Sequence, residues 1–337
     1  MRGNLLVNLQ SDENPQIRQV GGKAASLIRL TQAGFSVPTG SVLTTDFFAP
    51  WVEQVEQHPR WHHVVSALNN IRTPHPNAKD RESLTRACDE LKQTTTEFTF
   101  TQGQRTALDK VRLDTADHRF AIRSSSPEED LANASFAGLY ETVLNVTSDT
   151  LEAAVVQCFR SCLDARVLFY KREMKFDQFS PSIAVVVQRQ IESDVAGVAF
   201  SINPLNNDFD ELLINASWGL GEALVSGDIT PDSLVFHKVD GHLIESHRGD
   251  KGGLRSDEDC LNRAQTLALA EAVSRIETLY EEPVDVEWSF FENDLYVLQA
   301  RPITTYVPLA KELQTEPGTQ RMLYFDRSLA DGMTMSG

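Results

Sequence analysis

The chain has 337 residues, 41% of them hydrophobic and 23% charged, and carries a net charge of −17. Such a composition supports one large core or two moderate ones and excludes a fibrous or disordered chain. The acidic excess argues against general adhesion to nucleic acid or an anionic membrane, since both need a basic footprint, so any anionic ligand must be held by a few well-placed cations, backbone amides or a metal.

In chain order, "GGKAASLIRLTQAGF" has apolar residues at helical spacing, with Gly22 before the start and Gly34 after the last turn, and predicts a helix of about three turns. Its opening "GGK" reads either as a cradle for phosphate or as a helix starting after a flexible turn. "VPTGSVLTT" reads as a turn entering a strand, and residues 46 to 118 carry helical patterns broken by "RTPHPN". Beyond them "FAIRSS", "ETVLNV", "IAVVVQRQI", "GVAFSI", "ELLINASW", "SLVFHK", "VDVEWSFF" and "LYVLQAR" are strand-like, and "DTLEAAVVQCFRSCLDARVLFYKRE" reads as one long helix. The first third is thus mainly helical and the remainder strand-rich, an α/β chain with no internal repeat.

Four cysteines, Cys88, Cys158, Cys162 and Cys260, are too few for a disulfide framework, and the sequence has no signal peptide and no apolar run of transmembrane length. A cytoplasmic location is the expectation. Cys158 and Cys162 lie one helical turn apart but lack the further Cys or His ligands of a tetrahedral metal site, and are expected to be buried structural thiols.

Two clusters could carry chemistry. In "VDVEWSFFENDLYVLQARPIT" a three-residue loop, Glu292 to Asp294, joins two strands. A hairpin symmetric about Asn293 sets Glu287 opposite Gln299 and Asp285 opposite Arg301, all four on one face beside Trp288 and Tyr296. A carboxylate with an amide oxygen suits a hard cation such as magnesium, and an adjacent arginine grips phosphate oxygens; a solvated face with a cross-strand salt bridge is the competing reading. In "FAIRSSSPEEDLANASFAGLYETVLNV" an arginine ends an apolar strand and is followed by serines and small residues, so the loop can offer hydroxyl and amide donors to a polyphosphate, or can be an exposed Ser-rich turn.

Four blocks in this order, "VGGKAASLIRLTQAGFSVPTG", "AIRSSSPEEDLANASFAGLYETVLNV", "GLGEALVSGDITPD" and "DVEWSFFENDLYVLQARPIT", resemble the N-terminal ATP-binding domain of phosphoenolpyruvate synthase, pyruvate phosphate dikinase and rifampicin phosphotransferase. The resemblance spans roughly residues 15 to 306. It implies an ATP-grasp type fold whose two lobes enclose ATP and magnesium: an N-terminal lobe over residues 1–185, a C-terminal lobe over 186–306, and a linker with the start of a further domain over 307–337.

Position by position, the resemblance implies that Lys23 and Arg123 contact ATP phosphates, that Glu287 holds magnesium, and that Gln299 and Arg301 stand beside metal and phosphate. Gly138 and Thr142 match the phosphate-covering loop, while Leu139 stands where the family usually has glutamine. Gln188, Gln190 and Ile191 fall on the strand that passes the adenine, with Ile191 contributing backbone hydrogen bonds and Gln190 replacing a frequent methionine. Glu222, in "GLGEALVSG", is implied as an outer or ribose contact.

Members of the family pass phosphate to a histidine on a separate swivelling domain and then to an acceptor on a third. No matching motif is present: each of the eight histidines reads as a surface or structural residue rather than a phosphocarrier. The expected activity is transfer of the β-phosphate of ATP to a carrier histidine on another domain or chain, leaving AMP and phosphate, with pyruvate or another small molecule as final acceptor. A rifampicin-type phosphotransferase and a catalytically silent ATP-binding module are the alternatives.

Overall fold

The structure, a computed structural model, describes residues 3–71, 76–113, 118–128, 138–221, 229–250, 255, 257–304 and 306–307. Two antiparallel sheets organise them. The first, in the order β1-β2-β5-β3-β4, is built from β1 (Leu6–Asn8), β2 (Gly40–Leu43), β3 (Phe120–Ser125), β4 (Thr142–Val146) and β5 (Ala184–Arg189). The second, in the order β11-β10-β6-β7-β8-β9, comprises β6 (Val195–Phe200), β7 (Glu211–Trp218), β8 (Asp232–His237), β9 (Leu243–His247), β10 (Val284–Phe291) and β11 (Asp294–Pro302). Because β5 belongs to the first sheet, the sheets divide the chain between Arg189 and Val195, a few residues beyond the expected lobe boundary at 185.

Helices α2 (Thr45–Gln57), α3 (Pro59–Asn70), α4 (Ala78–Thr94) and α5 (Gln102–Leu113) follow β2. They bury an aromatic group in which Trp51 packs against Phe47, Phe48, Phe98, Phe100 and Phe159 at centroid distances of 4.9 to 6.5 Å. Burying each such ring contributes about 1.5–3 kcal/mol, which gives the first sheet a rigid backing.

The single long helix expected after β4 is two helices, α6 (Leu151–Ser161) and α7 (Ala165–Glu173). Asp164 ends the continuity: it adopts extended backbone and its carboxylate accepts the Arg166 N–H at 3.0 Å, an N-cap inside an otherwise unbroken helical pattern. All four cysteines are free and buried, and burial pushes the Cys158 and Cys162 thiols up to about 12, which favours the neutral thiol.

A further helix, α8 (Arg263–Tyr280), covers the back of the second sheet. The strand-rich reading passed over it, although "NRAQ" is a capping box: the Asn262 and Gln265 side chains each accept the other's backbone N–H at 3.0 Å. Val284, Val286, Trp288 and Phe290 of β10 enter the core shared with α8, so the alternate residues Asp285 and Glu287 face the other way, toward the first sheet.

Helix α1 (Ile17–Gln32) joins the halves. Ser26 Oγ donates to Ala300 O of β11 at 2.6 Å, and Arg29 lies over the Tyr280 ring at 4.6 Å from its centroid. The helix does not begin at Gly22 but is kinked at Gly21, which has φ 78° and ψ 166°. A Cβ on Gly21 would meet Ser125 O and Oγ at 2.3 Å, so only glycine lets the helix approach β3 this closely.

Candidate nucleotide site

The "GGK" segment is a docking joint. Gly22 N donates to Ser126 O at 2.9 Å, Ala24 N to Ser125 Oγ at 3.1 Å, and Ser125 Oγ to Val20 O at 2.8 Å. The amides that could have cradled a phosphate are spent on the end of β3, and the glycines serve the close packing. Lys23 is buried beside this joint, with Nζ donating to Ser124 O at 2.8 Å.

The serines of "RSSS" are likewise used internally. Ser124 Oγ donates to Glu141 O, Ser125 Oγ to Val20 O and Ser126 Oγ to Glu128 Oε2, and all three residues are fully buried. They do not form the hydroxyl-rich ligand loop that composition suggested, because β3 runs through Ser125 and carries them into the interior. Glu128 is held in turn by Lys171 of α7, which is 1% exposed, at 2.9 Å.

Arg123, on the same strand, reaches across to the second sheet. Its Nη1 donates to Leu298 O at 2.7 Å, and its Nη2 donates both to Glu287 Oε2 and to Gln299 Oε1, the latter at 2.8 Å. The strand pairing sets Glu287 opposite Gln299 and Asp285 opposite Arg301, as expected, but not through the expected loop. Phe291 pairs with Asp294 across a two-residue turn in which Glu292 and Asn293 have φ of 52° and 72°. Two left-handed residues make the tight hairpin whose twist suits the strands. A bulge that leaves Leu298 unpaired then restores the inferred pairs; the same bulge accompanies the Leu298 carbonyl that Arg123 binds.

Two carboxylates on one strand thus have different surroundings. Burial pushes the Glu287 carboxyl up, but Arg123, Lys23 and Arg301 outweigh it, and the group is held below its usual range. Asp285 is bonded by Arg301 Nε at 2.9 and 3.0 Å, yet burial dominates, and with the nearby Glu287 charge it raises this carboxyl to about 6.

A cavity of about 380 Å³ opens between the sheets. Ala121, Leu144, Ile191 and Val198 give it apolar walls, and Arg123 and Glu287 are charged groups on its lining. Thr142, Gln188 and Gln190 also line it, as do Leu220 and Gly221 at the start of the "GLGEALVSG" block. The two glutamine amides are engaged elsewhere: Gln188 Nε2 donates to Pro38 O at 3.3 Å, and Gln190 exchanges hydrogen bonds with Asn145, accepting its backbone N–H at 2.6 Å. Gly138 has φ 70°, and Leu139 packs against Val167 of α7. Glu222 lies outside the described residues, as do 129–137 of the second block and 308–337 of the expected linker.

Sequence reasoning missed the linking groups: the Leu298 carbonyl, Ser124 O and the Lys171–Glu128 pair. A carbonyl exposed by a bulge has no side-chain signature, and Lys171 is one of several charges on its helix with nothing to mark it as buried. Among the described residues no helix is long and apolar enough to cross a membrane.

Residues 17–321 match the family described as pyruvate phosphate dikinase, AMP/ATP-binding domain. A probable phosphoenolpyruvate synthase of Methanothermobacter thermautotrophicus is 35% identical over 88% of this chain and 45% of its own length. A rifampicin phosphotransferase of Streptomyces sviceus is 29% identical over 92% of this chain and 37% of its own. The chain therefore spans less than half of either relative. A solved D-alanine–D-alanine ligase from Helicobacter pylori overlaps 66% of this chain at a TM-score of 0.30 and 11% identity, too loose an overlap to bear on function.

Proposed function

The chain belongs to the pyruvate phosphate dikinase AMP/ATP-binding domain family, and from that premise we propose that it binds Mg-ATP between its two sheets and donates the β-phosphate to a carrier histidine supplied by another domain or chain. The observation that carries the reading is the junction at Arg123, where one guanidinium from the first sheet meets Glu287 and Gln299 of the second beside a cavity of nucleotide size.

The residues fit magnesium by their chemistry. Glu287 Oε2 and Gln299 Oε1 both accept from the same nitrogen, Arg123 Nη2, so two hard oxygen donors converge. With phosphates and water they make the partial oxygen set that this ion takes, and the bound ion would neutralise polyphosphate charge. Arg123 then turns from Glu287 to the phosphates, Lys23 adds charge from α1, and Arg301 lies two residues beyond Gln299. These groups position the polyphosphate and stabilise its charge as the α–β bond breaks, with no covalent step on this domain. Cleavage of the α–β bond moves the β,γ-pyrophosphoryl group onto the carrier histidine and leaves AMP; water then cleaves the β–γ bond, so that the β-phosphoryl stays on the histidine and the γ-phosphate departs as inorganic phosphate. The apolar walls by Leu144 and Ile191 suit a purine, with Ile191 supplying backbone hydrogen bonds. The final acceptor is pyruvate or another small molecule bound outside this chain.

The test is to incubate ATP, labelled separately at the β- and γ-positions, with this chain and a carrier-domain polypeptide encoded with it. Acid-labile label from the β-position on the carrier, dependent on this chain, is the expected result. Label from the γ-position would make it an ordinary kinase. No ATP binding at millimolar nucleotide by titration calorimetry would end the reading altogether.

A further inference from the structure

We propose that the β8–β9 hairpin carries a binding site for a late first-row divalent cation, zinc foremost, formed by His237, Asp240 and His242. The site is separate from the cleft: β9 is one edge strand of the second sheet, and β10, with Asp285 and Glu287, lies next to the opposite edge.

The three side chains converge on one point. His237 Nδ1 lies 2.8 Å and His242 Nδ1 2.5 Å from the same oxygen, Asp240 Oδ1, and the candidate ligand atoms of all three residues lie within 4.8 Å of one another. Ligand atoms around a tetrahedral zinc, with bonds of about 2.0–2.1 Å, stand about 3.3 Å apart. Admitting the ion therefore requires each imidazole to move from the carboxylate by roughly half an ångström to an ångström, a torsional adjustment of side chains on the surface. Two imidazoles and one carboxylate select zinc, copper or nickel over magnesium or calcium, and leave a fourth position for water.

Backbone hydrogen bonds hold these positions, and Asp240 Oδ1 adds one side-chain bond by accepting the His242 N–H at 3.2 Å. His237 N donates to His242 O at 3.0 Å, Gly241 N to His237 O at 2.9 Å and Lys238 N to Asp210 O at 2.7 Å, while Gly241 takes φ 67° to close the turn. The cation nearest in sequence is already neutralised, since Lys238 Nζ pairs with Glu277 at 2.8 Å, and a chain of net charge −17 favours a further positive charge. Every residue of β9 is exposed, and a bound ion would clip this edge strand to its neighbour at the loop end.

The test is titration calorimetry with zinc chloride alone on the nucleotide-free full chain, its His242→Ala variant and its Glu287→Gln variant, with melting temperatures measured with and without zinc. One saturable site in the wild type, retained in Glu287→Gln and weakened in His242→Ala by more than the roughly 10- to 100-fold typical of losing a merely supporting contact, is the expected result. Zinc should raise the melting temperature of the wild type and not of His242→Ala. Asp240→Asn, which conserves shape, should show the same loss if His242→Ala folds poorly. Absence of saturable binding, wild-type affinity retained in both hairpin variants, or loss confined to Glu287→Gln would overturn the proposal.

Discussion

Opposite charges meet where the two sheets adjoin, and of these Arg123 and Glu287 line the cavity. The first sheet and the helix docked on it bring Lys23 and Arg123; β10 of the second brings Asp285 and Glu287, with Arg301 already paired to Asp285. Arg123 and Glu287 neutralise one another across the junction, and the proposed function gives a phosphate the place that Glu287 holds against Arg123. Each charge held this way avoids the cost of an unpaired buried ion. Arg123 thus already carries Glu287 and Arg301 already carries Asp285, so on the proposed function an incoming anion has to displace a partner that is in place.

The most severe way to break this arrangement is Arg123→Met. Phosphotransfer should fall by about 10³-fold or more, the range that follows removal of an arginine from a phosphoryl-transfer site. The empty protein should also lose about 3 kcal/mol, because Glu287 is left without its partner. Adding Glu287→Gln should recover much of that stability and none of the ATP binding, and a double-mutant cycle of melting temperatures and calorimetric affinities separates the two. Recovery of both would mean that Arg123 serves the fold alone.

Glu287→Gln by itself tests the other side. The amide can still accept from Arg123, so the empty protein should lose only about 1 kcal/mol. The increment that magnesium adds to ATP affinity should disappear, since a hard cation prefers a carboxylate, while ATP without magnesium should bind at least as well as to the wild type, because Arg123 then faces no competing anion. A magnesium increment that survives would move the metal site elsewhere.

The two carboxylates of β10 should also part company with pH. Asp285, raised from 3.8 to about 6, supports the folded state fully below about pH 4, and that support is lost as pH rises through about 6. Glu287, held low, behaves oppositely and costs stability only as pH falls through its folded value. Wild type minus Asp285→Asn stability should therefore shrink by about 2–3 kcal/mol between pH 4 and 7.5, at about 1.4 kcal/mol per unit. A difference that is flat across that range in paired melting curves would show that Arg301 compensates the burial completely.

How much of this was legible varies with the kind of signal. Strand alternation gave the faces of β10 and β11, and side-chain pairing at Glu287 and Asp285 was recovered although the turn was misjudged, because the shorter loop and the Leu298 bulge shift the register by one residue in opposite senses. Periodicity could not see Asp164 breaking α6 from α7, since an N-cap is one polar residue in a continuing apolar pattern. It also gave no warning that the "RSSS" hydroxyls would turn inward, because serine is read as a surface donor until the strand carrying it is known to be central. Helix α8 was the avoidable omission, with its capping box written in "NRAQ".

The smallest expected effect concerns Gln190, which stands where the resemblance gives a frequent methionine. Its amide is already committed: Oε1 accepts the Asn145 N–H at 2.6 Å and Nε2 donates to Asn145 Oδ1 at 3.1 Å. Asn145 sits at φ 59°, where the β4 ladder is irregular, so Gln190 stands in for a strand partner that the bulge removes. Gln190→Met should therefore cost about 1 kcal/mol in unfolding free energy, the loss of one partly buried hydrogen-bond partner. ATP affinity should change by less than about threefold, within about 0.6 kcal/mol, because methionine adapts to the cavity wall and no amide contact to the base is lost. Denaturant unfolding and calorimetry on the same preparation read both quantities. If affinity fell tenfold with stability unchanged, the amide would be reading the base after all, and the apolar end of the cleft would have to be assigned differently.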